Sequence, residues 1–207
     1  MSEKRPEDFR FFREHLKSQA QVDGRILAVT SEIAAHYRKQ NVGRIALVGI
    51  AEGGLIFTNK LHSLLSEVAS WLEVEKHFFT MTATQEDGSL GDPRITVPLD
   101  PSVDLGGMHV LNSEDMQDRG ATLTTAKAYL DSYEPASLES AVMLQRQIAR
   151  PKGTAMPKFV AIQYRGSGWV YGNGPNDKRL GKDFYNEGRD YPGIVANYPQ
   201  HQMPEAA

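Results

Sequence analysis

Residues 108–124 carry the strongest chemical pattern in the chain: Met-His-Val-Leu-Asn-Ser-Glu-Asp-Met-Gln-Asp-Arg-Gly-Ala-Thr-Leu-Thr. A short apolar run ends near two adjacent carboxylates, Glu114 and Asp115. Asp118 follows, then Gly120 and Thr122, and a helical pattern begins at once. Carboxylates at a strand end accept hydrogen bonds from sugar hydroxyls or hold a Mg²⁺ shell. A Gly/Thr turn that opens a helix offers unpaired N–H groups and a positive dipole end to a phosphate. The order therefore suits a sugar-phosphate ligand. The same spacing also suits an ordinary strand–turn–helix with solvated acids and Thr122 as the helix cap.

The elements that must position these residues follow from hydrophobic periodicity. Phe9, Phe12 and Leu16 share one face of a short helix, and Ile26, Val29, Ile33 and Tyr37 one face of a helix over 22–39. Residues 44–50 are a nearly continuous apolar run, the pattern of a strand buried on both faces. Ala51-Glu52-Gly53-Gly54 then reads as a turn. Leu55, Thr58, Leu61, Leu65 and Leu72 predict a long helix. Strands are expected at 77–81, 108–111, 138–144 and 158–163, and a helix at 121–130. Residues 83–106 are rich in Gly, Pro and Asp and predict a long loop, while 164–207 read as an irregular lobe.

Strands alternating with helices imply an α/β fold, a mainly parallel sheet flanked by helices with a small irregular hood lobe. One domain is expected over 1–207, its core about 22–163 and its hood about 164–207. Ligands of such sheets sit beyond the carboxyl ends of the strands, where both Gly53-Gly54 and the 118–122 turn fall.

Composition narrows the classes. The chain has 207 residues, 40% of them hydrophobic and 24% charged, as in ordinary globular proteins. No apolar run approaches the ~20 residues of a membrane span. The start, Met-Ser-Glu-Lys-Arg-Pro-Glu-Asp, is too charged for a signal peptide. Without Cys there is no disulfide, thiolate nucleophile or Cys-bound metal, which fits a cytoplasmic protein. A net charge of −3 without a basic block argues against nucleic acid as partner. The His residues are scattered, so a His-built metal site is not expected. Gly166-Ser167-Gly168 imitates part of a dinucleotide fingerprint, but no helical pattern follows it.

The acidic segment resembles the phosphoribosyl-pyrophosphate (PRPP) motif of type I phosphoribosyltransferases: apolar residues, two acids, two apolar residues, then Asp-Thr-Gly-x-Thr. The resemblance extends over most of the chain and is closest to the hypoxanthine-guanine phosphoribosyltransferase branch. Leu47 to Phe57 is similar to the pyrophosphate loop. Residues 82–100 stand where the family has its mobile catalytic loop. Trp169-Val170-Tyr171-Gly172 and 183–190 resemble its tail.

This resemblance implies transfer of ribose 5-phosphate from PRPP to a purine or purine-like base, with Mg²⁺ as cofactor and pyrophosphate as product. It implies Asp118 as general base and Glu114 and Asp115 at the ribose hydroxyls, directly or through Mg²⁺. Arg119, Gly120, Ala121 and Thr122 would take the 5′-phosphate. Glu52, Gly53 and Arg189 would meet pyrophosphate, Trp169 and Gln145 the base, and Asp183 the metal. A homo-oligomer is expected, acting on small molecules with no membrane partner.

Departures are specific. Glu52 replaces the family's usual Lys, Arg119 its Thr, and Gln145 (with Arg146 beside it) the Lys that reads the base. The mobile loop's Ser-Tyr pair is not evident, with Met81-Thr82 nearest. These changes leave two other readings open: a non-catalytic binder of PRPP or nucleotide, and a transferase for an unusual base in specialised metabolism.

Overall fold

The computed structural model describes residues 11–84, 90–175 and 191–199. They fall into two compact units, one spanning 25–165 and the other combining the chain's two ends, 1–24 with 166–207.

The larger unit is built on a six-stranded sheet. In chain order its strands are β2 (Arg44–Ala51), β3 (Glu73–Thr84), β4 (Leu90–Val97), β5 (His109–Gln117), β6 (Ser137–Arg146) and β7 (Phe159–Tyr164). The spatial order is β4-β3-β2-β5-β6-β7. All neighbours run parallel except β4, which returns antiparallel along β3 at the sheet edge. The helices are α1 (Gln19–Lys39), α2 (Gly54–Val68) and α3 (Ala121–Asp131).

Parallel strands need crossover connections, and α2 and α3 supply them in opposite directions. From β2 the chain crosses through α2 to β3 on one side; from β5 it crosses through α3 to β6 on the other. The order thus reverses between β2 and β5, a topological switch point. The apolar run of β2 is explained by its place at the centre: Ile45, Ala46, Leu47 and Val48 are fully buried. One face packs Ala46, Val48, Ile50, Phe79 and Val110 against Ala126 and Leu130 of α3 and against Leu99 and Leu105. On the other face, the α2 hydroxyl of Thr58 lies 2.7 Å from Ser113 Oγ.

Two expectations fail here. The loop expected over 83–106 contains β4 and the end of β3. Thr80, Met81 and Thr82 pair with Val97, Ile95 and Arg94. Pro93 is tolerated because β4 is an edge strand, where a missing N–H donor costs little. The helix expected near Phe12 and Leu16 is instead β1 (Phe11–Lys17), and Phe9 lies outside the described residues. A segment that short has little helical stability of its own, and pairing with β9 (Ile194–Pro199) supplies its backbone partners.

Boundaries shift as well. α2 ends at Val68, so Leu72 belongs to the turn that leads into β3. β5 runs on past Leu111 to Gln117, which places both acids of the motif inside the strand.

The second unit holds a three-stranded antiparallel sheet in the order β1-β9-β8, with β8 at Trp169–Tyr171. The expected irregular lobe therefore contains two short strands. Gln19 ties this unit together: its Oε1 accepts from Gly193 N at 2.9 Å and from Asn173 Nδ2 at 3.1 Å.

Gly49 sets how closely α2 lies on the sheet. A Cβ there would stand 2.5 Å from Thr58 Oγ1 and 2.6 Å from the Phe78 ring. Gly49→Ala should therefore cost about 1–3 kcal/mol through overpacking. Urea denaturation checks this; an unchanged midpoint would show that α2 has room to move outward.

Candidate functional site

The site is built where β5 parts from β2. The two strands stay in register from Ile45 opposite His109 to Gly49 opposite Ser113. Beyond Ser113 only β6 pairs with β5, as far as Gln117 opposite Gln145. Residues 114–120 and the turn after β2 therefore border the switch point.

Side chains alternate along a strand, so Glu114 and Asp115 point to opposite faces. Asp115 faces the turn before α2. A Cβ on Gly53 would lie 2.2 Å from Asp115 Oδ2, so glycine lets this carboxylate seat against the turn, and any side chain there would push it aside. Gly54 is less tightly seated: its Cβ would stand 3.3 Å from the Ser113 carbonyl oxygen. The peptide between Ala51 and Glu52 is cis, and Glu52 itself is exposed. Asp115 Oδ1 also accepts from Met116 N at 2.8 Å.

Glu114 is on the other face and is 6% exposed. Its Oε2 has no hydrogen-bond partner. Burial, and then the neighbouring Asp115 charge, hold its carboxyl well above the usual carboxylate range. The acids are therefore not an ordinary solvated pair.

The head of α3 is also unusual. Gly120 occupies its N-cap with φ 88°, and no side chain caps the helix, Thr122 included. A left-handed cap favours glycine, and space demands it too: a Cβ would meet Thr154 Cγ2 at 2.4 Å. Among the described residues, the hydrogen bonds to Gly120 O come from within the helix, from Thr124 N at 3.0 Å and Thr124 Oγ1 at 2.8 Å. α2 likewise begins after a glycine, Gly53, with no side-chain cap and no acid in its first turn. Among the described residues, two helix N-termini thus present N–H groups without a side-chain cap at one end of neighbouring strands.

Asp118 is half-exposed, and its Oδ1 lies 3.0 Å from Arg146 Nε. Arg146 is buried and stacks over the Tyr164 ring at 5.3 Å. Gln145 is buried in a different network: its Nε2 donates to Gln117 Oε1 at 2.8 Å, and Gln117 Nε2 donates to Ala155 O at 2.7 Å. Arg119 is exposed. Arg150, which the sequence reading did not single out, donates from Nε to the Asp118 carbonyl oxygen at 2.8 Å. Its one sequence signal is its place in the loop after β6, at the end of the sheet where ligands of such folds bind.

The larger unit therefore gathers Glu52, Gly53, Glu114, Asp115, Asp118, Arg119, Gly120, Ala121, Thr122 and Gln145 around the β2 and β5 ends. Trp169 begins β8 in the second unit. Asp183 and Arg189 lie outside the described residues.

The donor set suits a cation shared with substrate better than an enclosed one. Among the described residues no group of three or more His, Cys, Asp or Glu side chains could hold a metal ion. Mg²⁺ commonly takes only one or two carboxylates, with the remaining positions filled by water and substrate oxygens. The unpartnered Glu114 Oε2 and the nearby Asp115 fit that demand.

Glu114 also predicts a pH dependence. The folded protein holds this proton more tightly than the unfolded chain does. Its contribution to stability is fully present below the ordinary carboxylate range and is lost as pH rises through the raised folded value. Without ligand, Glu114→Gln should be more stable than wild type at alkaline pH, and the difference should shrink in acid. Thermal melts at two pH values check this, with each ~1 kcal/mol shifting Tm by about 2–4 °C. Equal pH slopes for both proteins would contradict the buried, unpartnered carboxyl.

Among known proteins, the phosphoribosyl transferase domain family matches residues 18–172 of this chain. The hypoxanthine phosphoribosyltransferase of Haemophilus influenzae is 27% identical over 135 residues, covering 65% of this chain and 72% of that protein. The hypoxanthine-guanine phosphoribosyltransferase of Streptococcus pneumoniae is 27% identical over 126 residues, covering 60% and 67%. A solved structure of Trypanosoma cruzi hypoxanthine phosphoribosyl transferase superposes with a TM-score of 0.74 at 24% identity, over 93% of this chain and 95% of that one. The structural likeness extends the agreement in fold beyond the aligned sequence, and the chain belongs to the phosphoribosyltransferase family.

Proposed function

We propose that this phosphoribosyltransferase acts on a purine base: the base attacks C1′ of PRPP, the N–C1′ bond forms, the C1′–O bond breaks and pyrophosphate leaves. The observation that carries this reading is the pair of uncapped, glycine-headed helices, α2 and α3, on either side of Glu114 and Asp115. One ligand with two phosphate-bearing ends and a diol between them matches that layout.

In this reading the 119–122 turn binds the 5′-phosphate through main-chain N–H groups and the α3 dipole. Gly53 offers its N–H to pyrophosphate, so Glu52 contributes backbone rather than charge. Glu114 and Asp115 take the ribose hydroxyls. Mg²⁺, when bound to those carboxylates and to substrate oxygens, would offset negative charge growing on the leaving pyrophosphate. Asp118 accepts the proton that the attacking base nitrogen loses. Arg146, held beside Asp118 and over Tyr164, suits a 6-oxo group on that base, since a guanidinium donates in a planar fork. Gln145, its amide committed to Gln117, supports the strand end beside Arg146. The roles assigned to Trp169, Arg189 and Asp183 rest on the sequence resemblance.

The test is to incubate the protein with PRPP, Mg²⁺ and a panel of 6-oxo and 6-amino purines, and to measure pyrophosphate. Release with 6-oxopurines is expected. PRPP binding without release for any base would instead favour a non-catalytic binder. Asp118→Asn should lower kcat roughly 10²–10⁴-fold while leaving PRPP affinity nearly unchanged, as loss of a positioned base does. An unchanged kcat would remove Asp118 from that role.

A further inference from the structure

We propose that Arg150 is a positioning residue for the phosphate turn, holding the peptide planes that aim the Arg119 amide into the mouth of α3. This rests on the reading that the turn takes a 5′-phosphate. Arg150 donates to main-chain carbonyls rather than to side chains. Its Nε reaches Asp118 O at 2.8 Å, and one terminal nitrogen reaches Gln117 O at 3.4 Å and also Arg146 O. The other terminal nitrogen reaches Ile148 O at 3.3 Å. One guanidinium thus joins the end of β5, the end of β6 and its own loop.

The peptide unit is planar and trans, so its N–H points opposite to its C=O. Turning the Asp118 carbonyl toward Arg150 sends the Arg119 N–H the other way. The Gln117 carbonyl fixes the Asp118 N–H by the same rule. A phosphate site made of main-chain donors depends on such directions being set before the ligand arrives, because donors that must reorient weaken binding.

The loop that carries Arg150 is anchored to the same turn. A Cβ on Gly120 would meet Thr154 Cγ2 at 2.4 Å and Arg150 Cδ at 3.6 Å. Ala155 N donates to Thr124 Oγ1 at 3.0 Å, and Ala155 O accepts from Gln117 Nε2 at 2.7 Å. Among the described ion pairs none involves Arg150. Among the described residues its charge therefore adds to the positive end of α3 without a carboxylate against it.

The experiment compares inosine 5′-monophosphate with inosine by calorimetric titration, for wild type, Arg150→Gln and Arg150→Lys. The ratio of the two affinities isolates what the phosphate contributes. Both variants should lose on the order of tenfold of that ratio, as expected for one or two impaired hydrogen bonds to a charged group. Inosine affinity should stay the same, which a general structural role would not leave untouched. Lysine keeps the charge but lacks the planar fork, so full retention by Arg150→Lys would overturn the proposal and leave a charge effect only. Full retention by Arg150→Gln would overturn it outright. If wild type itself binds both compounds equally, the phosphate reading has failed instead.

A second measurement needs no variant. In ¹H–¹⁵N spectra of wild type, the monophosphate should shift the Arg119 amide and inosine should not. Shifts at Ala121 and Thr122 with a silent Arg119 would leave the phosphate site standing and refute the role of Arg150.

Discussion

β5 stays paired with β6 to Gln117 but leaves β2 after Ser113. The site depends on that separation. Up to Ser113 the backbone is locked between two parallel neighbours. Past it, one edge of β5 is released from β2 while the other is still held by β6 as far as Gln117. The reversal of strand order makes this the place where two crossovers leave in opposite directions. Each begins with a glycine: Gly53 before α2 and Gly120 before α3.

The glycines do different jobs, and both concern distance. At Gly53 the limit is the Asp115 carboxylate, which occupies the space of a side chain. At Gly120 the limits are a left-handed backbone and Thr154. Neither helix has a side-chain cap or an acid in its first turn. A Ser or Asp cap would stabilise each helix by roughly 0.5–2 kcal/mol. Omitting it forgoes that stability, as expected where N–H groups are kept for a ligand. Glu114 follows the same logic: a buried carboxyl oxygen without a partner is costly in the free protein, and such costs concentrate at functional sites.

Much of the fold was legible because its signals are local. The apolar run at 44–50 marks a central strand, and Gly120 followed by an amphipathic stretch marks the start of α3. The missed elements depend on distant partners. β1 needs β9, and β4 needs β3 while carrying Gly91, Asp92 and Pro93, which read as loop. The site divides in the same way. Residues 114–122 announce themselves by type and spacing. The contact of Gly53 with Asp115 follows from the register between β2 and β5, which no single segment encodes. Gln145 and Arg146 are adjacent, and only the pleat and their neighbours decide that Arg146 lies by Asp118 while Gln145 bonds to Gln117. Arg150 was invisible because it acts on carbonyl groups, which every residue has.

The central claim is that two uncapped helix heads hold two phosphate groups on either side of an acid pair. A crystal structure with a nucleoside 5′-monophosphate, pyrophosphate and Mg²⁺ tests it most directly. The monophosphate's phosphate is expected within hydrogen-bond reach of the 119–122 amides, pyrophosphate against the Gly53 amide, and the ribose diol facing Glu114 and Asp115. Phosphate groups bound away from both helix heads, with Glu114 still buried and without a ligand contact, would contradict it.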